Sequence, residues 1–496
     1  QWFGDLVTCA EWPHAWLNEG FATYFEVLFQ DHDKGRDEAE YELLGNARVY
    51  FDEDSRRYRR AIVCRTYMDP WTIFDRHLYE KGSWVLHMLR HELGDELWWK
   101  AVGHYLRKHA DSSVQTHDLI LAVEEATGRN MQSFFDQWVY RAGHPALRAR
   151  WSYDAASKKG SLWLMQTQTT DDSRPAFKFP LHVRVTGRGW TRDFHERVSD
   201  KEHRFAWKLP GEPLNVEIDP EFVLLKKLSF AKPSPMWFHQ LARGKTAVSR
   251  LLAADHVARW GGSRALAALS AQARREKFWG AAVEMVRALA SLPGPETDRA
   301  LEGLLSSAMH PKVLRAVVAE VARRARPGAE RTIAPLARRH SYLGVQAEAT
   351  RALGALAGGK NLPLVVKNLK TPSYRDVLAA SAVAALASTR DPRVLPRLKA
   401  AALAPSPYGA RVAALRALAD YSAHDPSLVP WMCARVENAD ERVTLSAVAA
   451  LGSTEDERAL PTLERLAKKA SNPRVRVYAV EALTRIKAGG KKASLK

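Results

Sequence analysis

Arg411-Val412-Ala413-Ala414-Leu415-Arg416-Ala417-Leu418 is one copy of a pattern that organises about half of this 496-residue chain. An alanine four residues before a leucine recurs as Ala349/Leu353, Ala382/Leu386, Ala414/Leu418, Ala447/Leu451 and Ala479/Leu483, with leucine spacings of 33, 32, 33 and 32. Residues four apart share one face of a helix. Arg442-Val443 and Arg474-Val475 precede their anchors in register, Arg411-Val412 lies two residues nearer its own, and Leu289 and Val321 fall on the same ruler with degraded alanines. A period of this length describes helix pairs that cannot bury their apolar faces alone and must stack on their neighbours. The spacing predicts an α-solenoid over residues 231–487, followed by a basic tail at 488–496.

The period alone fits several helical repeats. The chain lacks the Thr-Pro-Leu-His signature of ankyrin units, and its repeats open on segments such as Asp391-Pro392-Arg393-Val394. The unit therefore resembles a short HEAT repeat. Upstream, over 146–230, the hydrophobic period changes to two. Leu147–Tyr153, Ser161–Met165, Leu181–Val185, His203–Trp207 and Asn215–Asp219 alternate, separated by Gly-, Pro- and Asp-rich turns. Short alternating runs at this spacing predict a small β-sandwich.

The first 145 residues read as helical and aromatic-rich. A helix beginning near Pro13 and running towards Gln30 carries Trp16, Leu17, Phe21, Phe25, Leu28 and Phe29 around most of its circumference, which marks it as buried. A second helix runs from near Tyr79 to a stop near Gly94. Others follow at 97–109, 116–126 and 131–140.

Composition bounds the class. Apolar content of 46% and charged content of 26% describe a globular protein. No run reaches the ~18 to 20 apolar residues of a membrane span. The net charge of +18 raises nucleic acid as a partner. The basic residues are dispersed along the chain, however, so a solvated arginine-rich surface is expected and nucleic-acid binding is not. Three cysteines, Cys9, Cys64 and Cys433, form neither a disulfide framework nor a Cys-x-x-Cys metal pair. Unpaired thiols favour a reducing, cytoplasmic compartment over export.

The chemistry is carried by two short motifs. Asn18-Glu19-Gly20-Phe21-Ala22, preceded by Gln1-Trp2-Phe3-Gly4-Asp5-Leu6-Val7-Thr8, resembles zinc aminopeptidases of the aminopeptidase N type. In that family a glutamate in this context is the third zinc ligand, and eighteen residues separate it from the second histidine of a His-Glu-x-x-His helix. Here eighteen residues run from Gln1 to Asn18. The resemblance therefore implies that the chain starts just after its second histidine ligand, and that Glu19 is the metal ligand. A hydrolytic zinc ion uses three protein donors, lowers the pKa of a bound water to about 7 and polarises the carbonyl. Thr23 and Glu26 follow Glu19 on one helical face and are candidates for orienting a histidine ligand, with Asp5 as a further one. His14 precedes the helix and belongs to no ligand spacing.

The second motif, Tyr79-Glu80-Lys81-Gly82, resembles the segment whose tyrosine hydrogen-bonds the tetrahedral intermediate in the same family. A pre-placed phenol stabilises an oxyanion as it forms. Phe134–Trp138 and Gly143-His144-Pro145 resemble the end of the peptidase domain. The implied fold is mainly α: the C-terminal part of a thermolysin-like domain over 1–145, then the sandwich and the solenoid. Neither the His-Glu-x-x-His motif with its general base nor the family's amine-binding Gly-x-Met-Glu-Asn loop occurs in the sequence. The expectation is part of a zinc-dependent aminopeptidase acting on peptides, with one Zn2+ in the full-length protein and no activity in these residues alone. The competing reading is a non-catalytic, peptidase-like scaffold whose helical array binds protein or nucleic acid.

Overall fold

The computed structural model describes residues 1–171, 174–305, 309–356, 360–438 and 440–493, with side chains to 488. The basic tail predicted at 488–496 thus lies, beyond a helical backbone to Ala493, outside the described residues. The fold is mainly helical, with a small β region and a C-terminal helical repeat. It divides into two compact units, Gln1–Ala288 and Leu289–Lys496.

The first unit opens on the short strand β1 (Val7–Cys9) and a 3-10 turn at Trp12–His14 that holds Pro13. Helix α1 (Trp16–Lys34) follows. The helix expected from Pro13 thus starts one turn later and runs one turn further. Its neighbour α2 (Arg36–Arg56) is not singled out by the sequence reading. Acidic and basic residues fill its exposed face and mask the buried stripe of Leu43, Ala47 and Tyr50. A π-turn at His77–Lys81 leads into α3 (Gly82–Leu93), which stops at Gly94 with φ +82°, a conformation that glycine adopts without strain. Then come α4 (Asp95–Lys108), β2 (Ser112–Val114, parallel to β1), α5 (Thr116–Thr127) and α6 (Gln132–Trp138). The core of these helices is aromatic: Trp16, Phe21, Tyr24, Trp84, Trp98 and Phe135 are all fully buried.

Two sheets follow. Strands β3 (Ala146–Asp154) and β4 (Lys159–Gln166) share one sheet; β5 (Phe179–Gly187) and β6 (Trp190–Val198) share the other. β7 (Glu202–Lys208) and β9 (Lys227–Ala231) complete the first as β7-β4-β3-β9, and β8 (Pro213–Ile218) completes the second as β6-β5-β8. Alternation along β5 buries Phe179, Leu181, Val183 and Val185 between the sheets. β6 escapes the sequence reading because charges interrupt its period-two pattern. Four helices follow: α7 (Ser234–Arg243), α8 (Ala247–Trp260), α9 (Gly262–Arg275) and α10 (Trp279–Ala290). Arg48 of α2 forks onto Glu284 of α10 at 3.0 and 3.2 Å.

The second unit is a stack of helix pairs: α11 (Pro295–Leu305) with α12 (Pro311–Arg324), α13 (Glu330–Arg338) with α14 (Leu343–Leu356), and α15 (Leu362–Leu369) with α16 (Val377–Ser388). The series continues with α17 (Leu395–Ala401) and α18 (Tyr408–Tyr421), α19 (Leu428–Cys433) and α20 (Glu441–Ser453), then α21 (Leu460–Lys469) and α22 (Pro473–Ala493). The second helix of each pair packs on the second helix of the next. The alanine anchors Ala349, Ala382, Ala414, Ala447 and Ala479 are all buried where these helices meet. Small residues there let the helices approach closely. A Cβ added at Gly452 of α20 would lie 2.7 Å from that of Ala482 on α22. Leu353, Leu386, Leu418 and Leu451 fill the adjacent core, and Leu483 is half-buried.

Candidate active site at a helix crossing

Glu19 lies in the first turn of α1, and Tyr79 in the π-turn that opens α3. What brings them together is the glycine that each motif carries. A Cβ on Gly20 would sit 3.2 Å from the Cα of Gly82, and one on Gly82 would sit 3.1 Å from the Cα of Gly20. The two helices cross backbone to backbone, and a Cβ at either position would make its neighbour give by a few tenths of an ångström. Glu19, one residue before the crossing, and Tyr79, three before it, then face each other. The Tyr79 phenol lies close enough to the Glu19 carboxylate for each to shift the other's pKa. Burial raises the Glu19 pKa, and the neighbouring phenol partly offsets that. The phenol is pushed up to about 12 by burial and by the neighbouring Glu19 charge.

A buried ionic network holds the π-turn. The Lys81 N–H reaches back five residues to the Arg76 carbonyl at 3.0 Å, the widened turn that swings Tyr79 outward. Asp75 Oδ1 accepts from the backbone N–H groups of His77 and Leu78 at 3.0 and 3.1 Å. Arg60 grips Asp75 through both oxygens, and the Tyr58 hydroxyl donates to Oδ2 at 2.8 Å. His77 is fully buried, 3.5–3.6 Å from Glu53, Asp54 and Asp75. Burial lowers its pKa, but the Asp54 and Asp75 carboxylates more than offset this, so the imidazole's pKa is raised above its ordinary value. Glu53, Asp75 and His77 are also the one group of three metal-type donors within 4.8 Å of one another among the described residues. Arg60 and Tyr58 already occupy the Asp75 oxygens, so the cluster is an ion-pair network. Sequence reasoning missed it. Its signal was the density of charge in Asp52–Arg60 and Asp75–Lys81, flanking the tyrosine motif.

The remaining candidates fall differently. The Thr23 hydroxyl donates to the Glu19 backbone carbonyl at 2.8 Å, which ties it to its own helix. Glu26 is exposed and near Glu42, and Asp5 is exposed on the segment before β1. His14 is buried between Thr116 and Arg65, with ring nitrogens 2.9 and 3.3 Å from them. No donor cluster among the described residues includes Glu19.

The sequence reading holds that the first 145 residues contain no His-x-x-x-His pair, but His87 and His91 on α3 are one, at the i, i+4 spacing. The residue after His87 is Met88, so this pair brings no adjacent general base. The ring nitrogens of His87 face the Tyr24 hydroxyl and the Phe222 carbonyl, each at 3.3 Å. Burial and the neighbouring His91 drive its pKa well down. The pair lines a cavity of about 710 Å³ between α1, α2, α3 and strands β5 and β6, and neither Glu19 nor Tyr79 lines that cavity.

Residues 1–138, which contain this crossing, match the Peptidase family M1 domain, and residues 395–484 match HEAT repeats. Among curated proteins, the chain is 34% identical over 170 residues to Aminopeptidase M1-A of Oryza sativa subsp. japonica, covering 34% of this chain and 19% of that one. It is 34% identical over 202 residues to glutamyl aminopeptidase of Sus scrofa, covering 40% and 21%. The match thus spans about a fifth of each relative's length. The crystal structure of Legionella pneumophila aminopeptidase A in complex with aspartic acid aligns with a TM-score of 0.53 over 98% of this chain and 55% of that one. At 16% identity, that likeness is one of fold.

Proposed function

We propose that residues 1–138 supply part of the active centre of a zinc aminopeptidase, with Glu19 as a metal ligand and Tyr79 as a hydrogen-bond donor to the reacting carbonyl oxygen. The observation that carries this reading is the convergence of Glu19 and Tyr79 at the Gly20–Gly82 crossing. The match to the peptidase domain and the named aminopeptidases support it.

A half-buried carboxylate beside a phenol, with no ion pair to it among the described residues, suits a cation's donor set. Zinc in a hydrolytic site uses three protein ligands and activates a water for attack. Glu19 alone meets one third of that requirement. The other two ligands and the general base would come from residues outside this sequence, as would the group that binds the substrate's amine. Tyr79 keeps its proton up to a pH of about 12, so its hydroxyl is a donor throughout the working range. Placed beside Glu19, it can stabilise negative charge developing on a substrate oxygen. Asp75 and Arg60 hold the turn that aims it.

The test is release of a chromogenic amine from an amino-acid anilide by the protein in its natural full length. A chelator should abolish turnover, and Tyr79→Phe should lower kcat by about 100-fold or more, the scale of losing one oxyanion donor. Unchanged kcat in Tyr79→Phe would remove the role assigned to Tyr79. The 496 residues alone should hold no stoichiometric zinc at neutral pH. Absence of hydrolysis by the full-length protein would leave the scaffold reading in its place.

A further inference from the structure

Three tyrosines stand at the head of successive stacked helices in the second unit. Tyr342 directly precedes α14, Tyr374 lies in the 3-10 turn before α16, and Tyr408 opens α18. They are 43%, 72% and 38% exposed, although burial of an aromatic ring is favourable. The loops that carry them form one continuous edge of the stack. Asp376 beside Tyr374 accepts from the Gly409 N–H beside Tyr408 at 3.4 Å. Arg442, at the head of α20, lies 4.3 Å over the Tyr408 ring, and Glu441 is bonded to Asn472 at the head of α22.

The unit that carries this edge is basic. Residues 289–496 hold 33 lysines and arginines against 18 aspartates and glutamates, a net +15 of the chain's +18. The first helix of each pair ends on this edge, and basic residues cluster there. Arg338, Arg339, Lys370, Lys468 and Lys469 are exposed, and no ion pair is formed by any of them among the described residues. Arg375 lies 5.5 Å over the Tyr374 ring, while Lys399 and Arg435 flank Trp431 at 5.8 and 4.7 Å. The acids on the edge are already engaged: Asp376 with Gly409, Glu437 with Arg465, Asp440 with Arg442 and Glu441 with Asn472. The N-termini of α14, α16, α18, α20 and α22 add their positive dipole ends to the same line.

We propose that this edge binds single-stranded nucleic acid. Unpaired cations track a phosphate backbone, and exposed rings spaced one repeat apart offer faces on which unpaired bases stack. A duplex hides its base faces, and an acidic peptide would have no use for the rings. The expectation that nucleic acid is not a partner rested on basic residues scattered through the sequence. Folding sets five of them at the ends of first helices along this edge. The proposal is independent of the peptidase reading, because every residue in it belongs to the second unit.

The test is fluorescence anisotropy of a labelled oligouridylate of about 20 nucleotides with the full chain, against a duplex of the same length and a polyglutamate peptide. The single strand should bind more tightly than either competitor, and its affinity should fall steeply with salt. Tyr342→Ala, Tyr374→Ala and Tyr408→Ala should each weaken it about 5-fold or more, and Tyr374→Phe should retain binding. Lys370→Glu combined with Lys468→Glu and Lys469→Glu should flatten the salt dependence. Circular dichroism reports that each variant is folded. Three outcomes overturn the proposal: no binding of the single strand, binding untouched by the tyrosine substitutions, or equal binding of polyglutamate.

Discussion

Arg60 and Asp75 form a nearly buried, two-pronged ion pair directly beneath the turn that carries Tyr79, with N···O distances of 2.6 and 2.8 Å. The same guanidinium also donates to the carbonyls of Ala61, Ile62 and Ile73. One side chain therefore ties the chain after α2 to the segment entering the π-turn. Removing it takes the guanidinium from a buried carboxylate, which keeps its hydrogen bonds from Tyr58, His77 and Leu78, and strands three carbonyls.

Arg60→Met should therefore destabilise the first unit by about 3 to 5 kcal/mol, the cost of breaking a buried pair from one side. Urea unfolding followed by tryptophan fluorescence measures this. A loss below about 1 kcal/mol would mean that the pair is solvated in solution.

The Gly20–Gly82 crossing gives a paired prediction. Gly82→Ala forces the backbones of α1 and α3 apart and should cost about 1 to 3 kcal/mol, as overpacking does. Gly45→Ala is the control: it lies inside α2, and an added Cβ meets nothing within 4 Å. That change should stabilise the protein by about 0.5 to 1 kcal/mol, because alanine favours helix over glycine. Thermal melts of the two variants should shift in opposite directions.

Lys81 gives a pH signature. Its ammonium is fully buried, and that burial lowers its pKa to about 7 from an ordinary 10.5, only partly offset by Asp54. Between those values the unfolded chain holds a proton that the folded chain does not. Stability should then rise with pH through this window, by at most about 1.4 kcal/mol per unit. Lys81→Met should lose that slope. His77 acts in the opposite sense: its contribution is complete below the unfolded value near 6.5 and fades as pH rises through its raised folded value. Both proteins share the His77 contribution, so the difference between their denaturation midpoints from pH 7 to 10 isolates Lys81.

In the repeat unit, Leu418→Ala should cost about 2 to 5 kcal/mol, because Leu418 is fully buried among stacked helices. Val477→Ala on α22 provides the comparison, since that side chain is exposed and should change stability by less than about 0.5 kcal/mol. Differential scanning calorimetry of the two variants measures the contrast.

The sequence by itself determined most of the element types and the repeat. The alternation in 146–230 and the alanine–leucine ruler are local periodicities, and one buried face is enough to impose them. It also marked Glu19 and Tyr79, because their motifs resemble those of the aminopeptidase N type. It did not show α2 or β6, where charge obscures the buried face; the pair of His87 and His91 is legible in it but was misread as absent.

Only the tertiary structure decided what the glycines of those motifs are for. Gly20 and Gly82 touch across a helix crossing, and no local pattern in either segment encodes its partner. The same holds for His77 and its three carboxylates, and for the edge that collects Tyr342, Tyr374, Tyr408 and the unpaired cations. Electrostatics and close packing depend on distances through space, which the order of residues along the chain does not contain.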